Sequence, residues 1–228
     1  MIDYRHRDAL GHVIDLPVSK VLCIGQNYMD HIKELNSTQA PEPLFFFKPQ
    51  TALCDVTKPL VIPLEHGECH NELEMAVLIK SPLKNADIET VKQHIWGYGL
   101  ALDLTLRDVQ KRLKSLGRPW EMAKSFDDSC PVSHFVPADD IVDPQQLTFT
   151  LTVNGETRQC GATDHMMRPV YQLIAEMSSF FTLQAGDIVL TGTPAGVGPL
   201  VPGDKLTLSL DAKQRLIDIT TEVQPANG

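Results

Sequence analysis

Short apolar runs separated by turn residues make up most of the chain, and only a few segments keep helical spacing. Apolar or alternating runs of this kind predict β-strands, here at 18–24, 45–47, 75–79, 97–106, 147–153, 156–160, 188–191, 205–210 and 216–223. Apolar spacings of three and four predict helices, here within 27–36, 88–95, 107–116 and 166–181. Strands therefore dominate, and the scattered helices favour an α+β fold built on curled, mostly antiparallel sheets.

Two local signals mark where elements begin and turn. Asp87 is expected to cap a short helix, because a side-chain carboxylate accepts hydrogen bonds from the first free amides of a helix. The same helix is expected to turn Ile88, Val91 and Ile95 inward. The Asn-Gly pair at 154–155 lies between two predicted strands and is a strong signal for a tight hairpin.

The acidic stretch Gly67–Ile79 reads G-E-C-H-N-E-L-E-M-A-V-L-I and ends in a buried strand pattern. Side chains in a strand alternate with a period of two, so His70, Glu72 and Glu74 are predicted to share one face. Two carboxylates that lean toward one point suit a hard divalent cation such as Mg²⁺. The alternative is a half-exposed strand with an acidic solvent face. For His70 the alternative is a supporting role, as a hydrogen-bond donor to a carboxylate that binds the metal.

Other polar residues stand out against apolar or helical surroundings. His31 and Glu34 are three residues apart, so on a helix they share one face and can touch. The polar, proline-containing segment 37–43 ends that helix as a mobile loop, and residues from about 26 to 42 are predicted to form a lid. Asp103 lies in a strand pattern among leucines and needs a partner, because burying a lone carboxylate is costly. Lys48 ends the apolar strand 45–47.

Composition narrows the class of protein. A length of 228 residues suits one large domain, predicted here as 1–228 with 1–17 as an N-terminal arm or hairpin. The net charge of -9 argues against nucleic acid or an anionic membrane as a partner. We expect a cytoplasmic protein, because the chain shows no membrane span and no secretory signal. Reduced thiols are expected at all five cysteines, Cys23, Cys54, Cys69, Cys130 and Cys160.

Five motifs, taken together, resemble the fumarylacetoacetate hydrolase (FAH) superfamily. They are G-Q-N-Y-M-D-H-I-K-E at 25–34, H-N-E-L-E at 70–74, L-D-L-T-L-R-D-V-Q at 102–110, A-K-S-F at 123–126 and L-T-G-T-P-A-G-V-G-P at 190–199. The likeness is strongest to the single-domain branch that contains acylpyruvate hydrolases and oxaloacetate decarboxylases or tautomerases. The chain has no room for the extra N-terminal domain of fumarylacetoacetate hydrolases proper, which argues against fumarylacetoacetate as the substrate.

The resemblance implies a mixed β-sandwich roll with a few peripheral helices, usually a homodimer. It implies one Mg²⁺ or Mn²⁺ held by Glu72, Glu74 and Asp103. His31 and Glu34 would form the catalytic dyad of the lid. Further residues are expected at the site, with Lys124 as a catalytic group and Gln110, Thr193, Arg107 and Lys48 as substrate-binding groups.

The function predicted first is metal-dependent cleavage of a C–C bond in acylpyruvates, through an enolate that the metal stabilises. His31 would take a proton from water, with Glu34 raising its basicity. The alternatives are an oxaloacetate decarboxylase, an oxaloacetate keto–enol tautomerase, and an isomerase or hydratase of related 2-oxo acids. A non-enzymatic binding protein would have lost a metal ligand or the dyad, and neither is lost. The sequence alone does not rank these small 2-oxo acid reactions.

Overall fold

A computed structural model describes residues 4–39 and 41–226. The first three residues of the predicted N-terminal arm, and residue 40 of the predicted lid, lie outside this range. The helices are α1 Met29–Glu34, α2 Ile88–Gln93, α3 Arg107–Ser115, α4 Glu121–Lys124 and α5 Val170–Phe180. The strands are β1 Val21–Gly25, β2 Leu44–Lys48, β3 Leu53–Asp55, β4 Leu60–Ile62, β5 Cys69–Asn71, β6 Leu73–Ile79, β7 Ile95–Leu102, β8 Thr105–Leu106, β9 Cys130–Val132, β10 Val136–Pro137, β11 Thr148–Val153, β12 Glu156–Ala162, β13 Ile188–Leu190, β14 Gly198–Pro199, β15 Lys205–Asp211 and β16 Arg215–Pro225.

These strands form three sheets. The largest has the order β2-β1-β13-β6-β7-β9-β3, with β10 paired beside β7. The second has the order β12-β11-β15-β16-β4, and a small third sheet joins β14, β5 and β8. Parallel pairing occurs between β1 and β13, between β3 and β9 and between β4 and β16, and the other pairs are antiparallel. The predicted α+β class with mostly antiparallel sheets is confirmed.

The two larger sheets share one apolar core. Met75 and Val77 of β6 belong to the same buried cluster as Phe149 of β11 and Leu208 of β15. Helix α5 adds a buried face to this cluster, which includes Leu173. Burial of apolar surface on both inner faces makes the arrangement a sandwich whose loops and strand breaks lie at the edges.

Two acidic residues of the predicted metal site lie where two neighbouring strands are interrupted. The sequence predicted one continuous strand through Glu72 and another through Asp103. Instead Glu72 separates β5 from β6, and Asp103 lies between β7 and β8. The Asp103 amide donates to the Glu72 carbonyl at 2.8 Å, which satisfies both backbone groups where the ladders stop. Because Glu72 and Asp103 lie outside regular strand geometry, their side chains need not follow the alternation of the flanking strands, and both point to the same side.

The predicted helix cap at Asp87 is confirmed, whereas two predicted helix boundaries differ from the structure. Asp87 caps α2 by accepting from the Thr90 amide at 2.8 Å, as predicted. Ile88, however, is 44% exposed, and Ile95 belongs to β7 rather than to the helix. Helix α5 begins at Val170 rather than at 166, because a proline at 169 disfavours helical geometry in the residue before it.

The N-terminal arm forms a small hairpin within the described range. Arg7 and Val13 make an antiparallel bridge, and Asp8 bridges to Phe135 of the main body. Gly11 supplies the turn with a φ of 81°, a conformation that glycine adopts without strain. Within the described residues, no helix is long and apolar enough to cross a membrane.

Candidate active site

A triad of buried carboxylates lies at the two strand breaks. Glu72, Glu74 and Asp103 each offer an oxygen within 4.8 Å of the other two. Each of the three residues is less than 5% exposed. The predicted pair on the acidic stretch and the predicted lone acid on the following strand are therefore brought together in one cluster.

Three cations neutralise two members of this triad. Lys124 Nζ donates to Glu72 Oε2 at 2.7 Å and to Asp103 Oδ2 at 2.6 Å. Arg107 donates from Nη2 to Glu72 Oε1. Burial alone would raise the pKa of Glu72, but Lys124 and Arg107 outweigh it and hold that pKa well below its usual range. Lys48 Nζ lies 2.8 Å from Asp103 Oδ1, without the geometry of a hydrogen bond.

Glu74 has no such cation. Among the described residues it accepts a hydrogen bond from the Gly192 amide at 2.5 Å, and it makes no ion pair. Burial, and then the neighbouring Asp103 carboxylate, raise the pKa of Glu74 well above its usual value. A divalent ion would remove this penalty, and an all-oxygen donor set suits Mg²⁺ or Mn²⁺. The residues present therefore fit the predicted metal.

The lid helix α1 closes over the triad. His31 is 7% exposed, and its Nδ1 lies 3.5 Å from Glu34 Oε2. The other oxygen of Glu34 accepts from the Gly196 amide at 2.9 Å, which ties the lid to the loop after β13. Burial lowers the pKa of His31, against a smaller opposing effect of Glu72. The lowered pKa favours the neutral form of the imidazole, which has a free nitrogen lone pair for a proton.

A small cavity of about 50 Å³ lies between the lid and the triad. Most of the residues predicted for the site line it, namely His31, Glu72, Glu74, Asp103, Arg107, Gln110, Lys124 and Thr193. Glu34 is not among the lining residues and reaches the cavity through His31. The structure therefore places these predicted groups around one cavity.

Lys48 differs from its predicted role as a substrate-binding residue. Its side chain is fully buried and lies outside the cavity lining. Its ammonium group donates to the Ser129 carbonyl at 3.0 Å and to the backbone carbonyl of Lys124. It lies behind Asp103 and acts as a fixed counter-ion, because all of its donors are turned into the protein.

Arg107 is also held more firmly than a free substrate contact would be. It binds Glu72, donates to Gln110 Oε1 at 2.6 Å and lies 3.4 Å from His70 Nδ1. His70 in turn has its Nε2 3.0 Å from an oxygen of Glu68. His70 therefore supports Arg107 from outside instead of facing the triad, although strand alternation predicted that it would share the face of Glu72.

The sequence interpretation missed Gln159 on β12. This buried side chain accepts from Asn71 Nδ2 and from the Leu73 amide, both at 2.8 Å. It donates to Thr193 Oγ1 at 2.7 Å and to the Pro194 carbonyl at 3.1 Å. The side-chain amide of Gln159 thus holds both neighbours of Glu72 and the loop that carries Thr193. Its signal in the sequence is a polar residue at an inward position of a hairpin strand.

Asn27 is a second residue that sequence reasoning left without a role at the site. Its Nδ2 donates to the Thr191 carbonyl at 2.8 Å, and its Oδ1 accepts from the Arg168 amide at 2.8 Å. A Cβ atom on Gly192 would come within 2.7 Å of the Asn27 side chain. Glycine is therefore required there, and Asn27 anchors the start of the lid against the loop that carries Thr193.

Curled mixed sheets that bury a triad of carboxylates under a short histidine-bearing helix define a class of protein with the geometry of a metal-dependent enzyme. The family described as "Fumarylacetoacetate (FAA) hydrolase C-terminal" matches residues 20–224. The chain belongs to this family, as the sequence motifs predicted.

Individual relatives share most of the chain. "Oxaloacetate tautomerase YcgM" of Escherichia coli (strain K12) is 56% identical over 209 residues, which covers 91% of this chain and 95% of the relative. "Oxaloacetate decarboxylase, mitochondrial" of Dictyostelium discoideum is 40% identical and covers 81% of this chain and 85% of the relative. The crystal structure of a fumarylpyruvate hydrolase from Pseudomonas aeruginosa in complex with Mn²⁺ and pyruvate is 33% identical, with a TM-score of 0.91 and coverage of 99% and 97%.

Proposed function

We propose that the protein is a divalent-metal-dependent oxaloacetate keto–enol tautomerase. One structural observation carries the proposal: His31 is the histidine of the cavity lining, and its buried imidazole has Nδ1 3.5 Å from Glu34 Oε2. An imidazole can both take and return a proton. Tautomerisation needs only such a group beside an activated 2-oxo acid. The name of the Escherichia coli relative, which is 56% identical, supports the same reaction.

The residues around the cavity have different roles in this reaction. A divalent ion held by Glu72, Glu74 and Asp103 would supply Lewis-acid stabilisation of the negative charge that develops on the 2-oxo oxygen. His31 would take a proton from C3 of the keto form, which breaks the C3–H bond, and the resulting imidazolium would return that proton to the 2-oxo oxygen to give the enol. Glu34 orients the imidazole, and Lys124 and Arg107 keep Glu72 ionised as a ligand.

The size of the cavity also favours a compact substrate. About 50 Å³ of space remains under the closed lid. A four-carbon diacid needs less movement of the lid than a long acylpyruvate does. Proton transfer also needs only the substrate in this space, whereas a hydrolysis would need a bound water as well as the substrate.

Two other reactions share this site chemistry. Decarboxylation of oxaloacetate is the second candidate, and it is supported by the name of the Dictyostelium discoideum relative. It needs the metal to accept electrons but no base. The hydrolysis of acylpyruvates, which was the leading prediction from the sequence, is supported by the fumarylpyruvate hydrolase structure at 33% identity. The more similar relative favours the tautomerase, so hydrolysis becomes the alternative.

The deciding experiment compares substrates on one preparation. Purified protein with Mn²⁺ or Mg²⁺ is assayed with enol-oxaloacetate, keto-oxaloacetate and acetylpyruvate, and rates with metal alone are subtracted. We expect tautomerisation to be the fastest reaction, with loss of activity after chelation of the metal. Acetylpyruvate cleavage with a higher kcat/KM than tautomerisation would overturn the proposal.

A further inference from the structure

The basic side chains at the candidate active site are not equivalent. Arg107 and Lys124 line the cavity but are both bound to the triad, and Lys48 is fully buried behind Asp103. Lys114 also lines the cavity. Within the described part of the chain it pairs with no carboxylate, and its ammonium lies 5.8 Å from the centre of the Trp120 ring.

Helix α3 places Lys114 on the same face as two other residues that line the cavity. Arg107, Gln110 and Lys114 are spaced by three and four residues and therefore share one face of the helix. Seven residues span about 10 Å of helix axis, and side chains lean back toward the N-terminus. The long side chain of Lys114 can thus reach toward the space beside Gln110. The face begins at the metal triad and ends at an exposed ammonium.

Two aromatic rings, Phe46 and Trp120, form an aromatic wall of the cavity beside Lys114. Trp120 lies 6.1 Å, ring centre to ring centre, from Phe46, and both rings line the cavity. Lys124 lies over the other end of this wall, 5.2 Å from the centre of the Phe46 ring. An exposed cation–π contact is weaker than a charge-assisted hydrogen bond, so a carboxylate can draw the ammonium away from Trp120.

We propose that Lys114 binds the distal carboxylate of a four-carbon 2-oxo diacid whose 2-oxo end lies at the triad. The inference rests on the proposed function, because oxaloacetate carries its second carboxylate at the far end from the 2-oxo acid group. A second negative charge at that end needs a cation that the triad has not already taken. Lys114 would therefore select diacids over monoacids of equal length.

Binding of a matched ligand pair tests this role. Malate and 2-hydroxybutanoate have the same four-carbon chain and the same 2-hydroxy acid end, and they differ in the distal carboxylate. Each is titrated by calorimetry into the Mn²⁺-loaded protein, its Lys114→Met variant and a Lys111→Met control. Lys111 is on the same helix and exposed, with its ammonium 3.9 Å from Asp108, and it does not line the cavity.

We expect Lys114→Met to weaken malate binding by about tenfold, which is typical of the loss of one charge-assisted contact at a partly solvated site. Binding of 2-hydroxybutanoate should be unchanged, and Lys114→Arg should restore most of the preference for malate. The control variant should match the parent. In the tautomerase assay, Lys114→Met should raise KM for oxaloacetate and leave kcat nearly unchanged.

Two results would overturn the assignment. One is a parent protein that binds malate no better than 2-hydroxybutanoate. The other is a Lys114→Met variant that loses affinity for both ligands equally, which would indicate a structural effect of the substitution. The proposed function is judged separately, because a parent that prefers malate but lacks tautomerase activity would retain the carboxylate site and refute the reaction.

Discussion

Glu74 differs from the other two triad residues in having no cation partner. Lys124 and Arg107 already balance Glu72, and Lys124 and Lys48 face Asp103. The burial that raises the pKa of Glu74 is therefore offset only in part, by the charge of Lys124 and by the Gly192 amide. Removing the charge of Glu74 should affect the metal strongly and the fold weakly.

We predict that Glu74→Gln lowers the affinity for Mn²⁺ at least about tenfold, since loss of a direct ligand should exceed the effect of losing an outer partner. Stability without metal should be equal or higher, because a buried unpaired acid is removed. Calorimetry with Mn²⁺ and chemical denaturation measure the two effects. The exposed Glu89 provides a Glu89→Gln control, and unchanged Mn²⁺ binding by Glu74→Gln would refute the ligand assignment.

His31 is predicted to carry the proton transfer. The variant His31→Asn should lose about 10²–10⁴-fold of tautomerase activity, the usual contribution of a general base. Mn²⁺ affinity should stay near that of the parent, because His31 makes no bond to the triad. Oxaloacetate decarboxylation should fall much less, since it needs no base.

The control for this substitution is His165→Asn, at an exposed histidine outside the cavity lining. Full tautomerase activity in His31→Asn would show that another group moves the proton. An equal fall of tautomerisation and decarboxylation would instead make His31 a positioning residue for both reactions.

At the scale of elements, the site is assembled from pieces of different sheets. Gln159 of the second sheet binds the break between β5 and β6, and it also binds Thr193 on the loop after β13. Thr193 itself donates to the Leu73 carbonyl at 2.9 Å. These hydrogen bonds connect the segment that carries Glu72 to the segment expected to hold the substrate.

We therefore predict that Gln159→Leu weakens Mn²⁺ binding by about 10–100-fold, as the loss of outer-shell partners does at other metal sites. It should also lower the free energy of unfolding by about 1–3 kcal/mol, because the buried Leu73 amide and Asn71 lose their acceptor. Calorimetry and urea denaturation provide both values. Gln214→Leu, in the exposed turn before β16, is the matched control. Parent-like Mn²⁺ affinity in Gln159→Leu would show that Gln159 does not support the metal ligands.

The lid is joined to the site at two points, by Asn27 at its start and by Glu34 through the Gly196 amide. We predict that oxalate with Mg²⁺, which resembles the pyruvate enolate, slows hydrogen exchange across 26–39. The physical reason is that a ligand under His31 favours the closed state. Exchange measured by mass spectrometry with metal alone is the reference. Equal protection with and without oxalate would contradict a closing lid.

At the scale of the whole molecule, the metal links segments that are far apart in the chain. Glu72 and Asp103 are contributed by separate strand breaks, so a bound ion favours the folded chain over the unfolded one. The homodimer expected from the family resemblance stays a prediction, and sedimentation velocity against the chain mass of 25.3 kDa is the direct check.

We predict that Mn²⁺ at about 100 times its Kd raises the free energy of unfolding by about 2.7 kcal/mol. For a chain of this size, that corresponds to an increase in Tm of about 5–10 °C. Differential scanning calorimetry with and without Mn²⁺ measures the change. At the same Mn²⁺ concentration Glu74→Gln should lose about half of the increase or more, and a parent Tm that Mn²⁺ does not move would contradict a specific site.

The sequence by itself determined most elements and the identity of the family. Alternation and turn residues predicted the strand order along the chain, and Asp87 was correctly predicted as a helix cap because capping is a local interaction. Five motifs predicted the family that the comparison confirmed. The reaction was ranked less well, because an enolate is common to hydrolysis, decarboxylation and tautomerisation.

Only the tertiary structure decided how the predicted residues meet. Strand periodicity placed His70 beside Glu72, but the break at Glu72 turned His70 toward Arg107 instead. Lys48 was predicted to bind substrate, but packing placed it behind Asp103. Gln159 became part of the site through contacts with residues more than 30 positions away. Such long-range contacts depend on how sheets pack, and local residue patterns do not encode them.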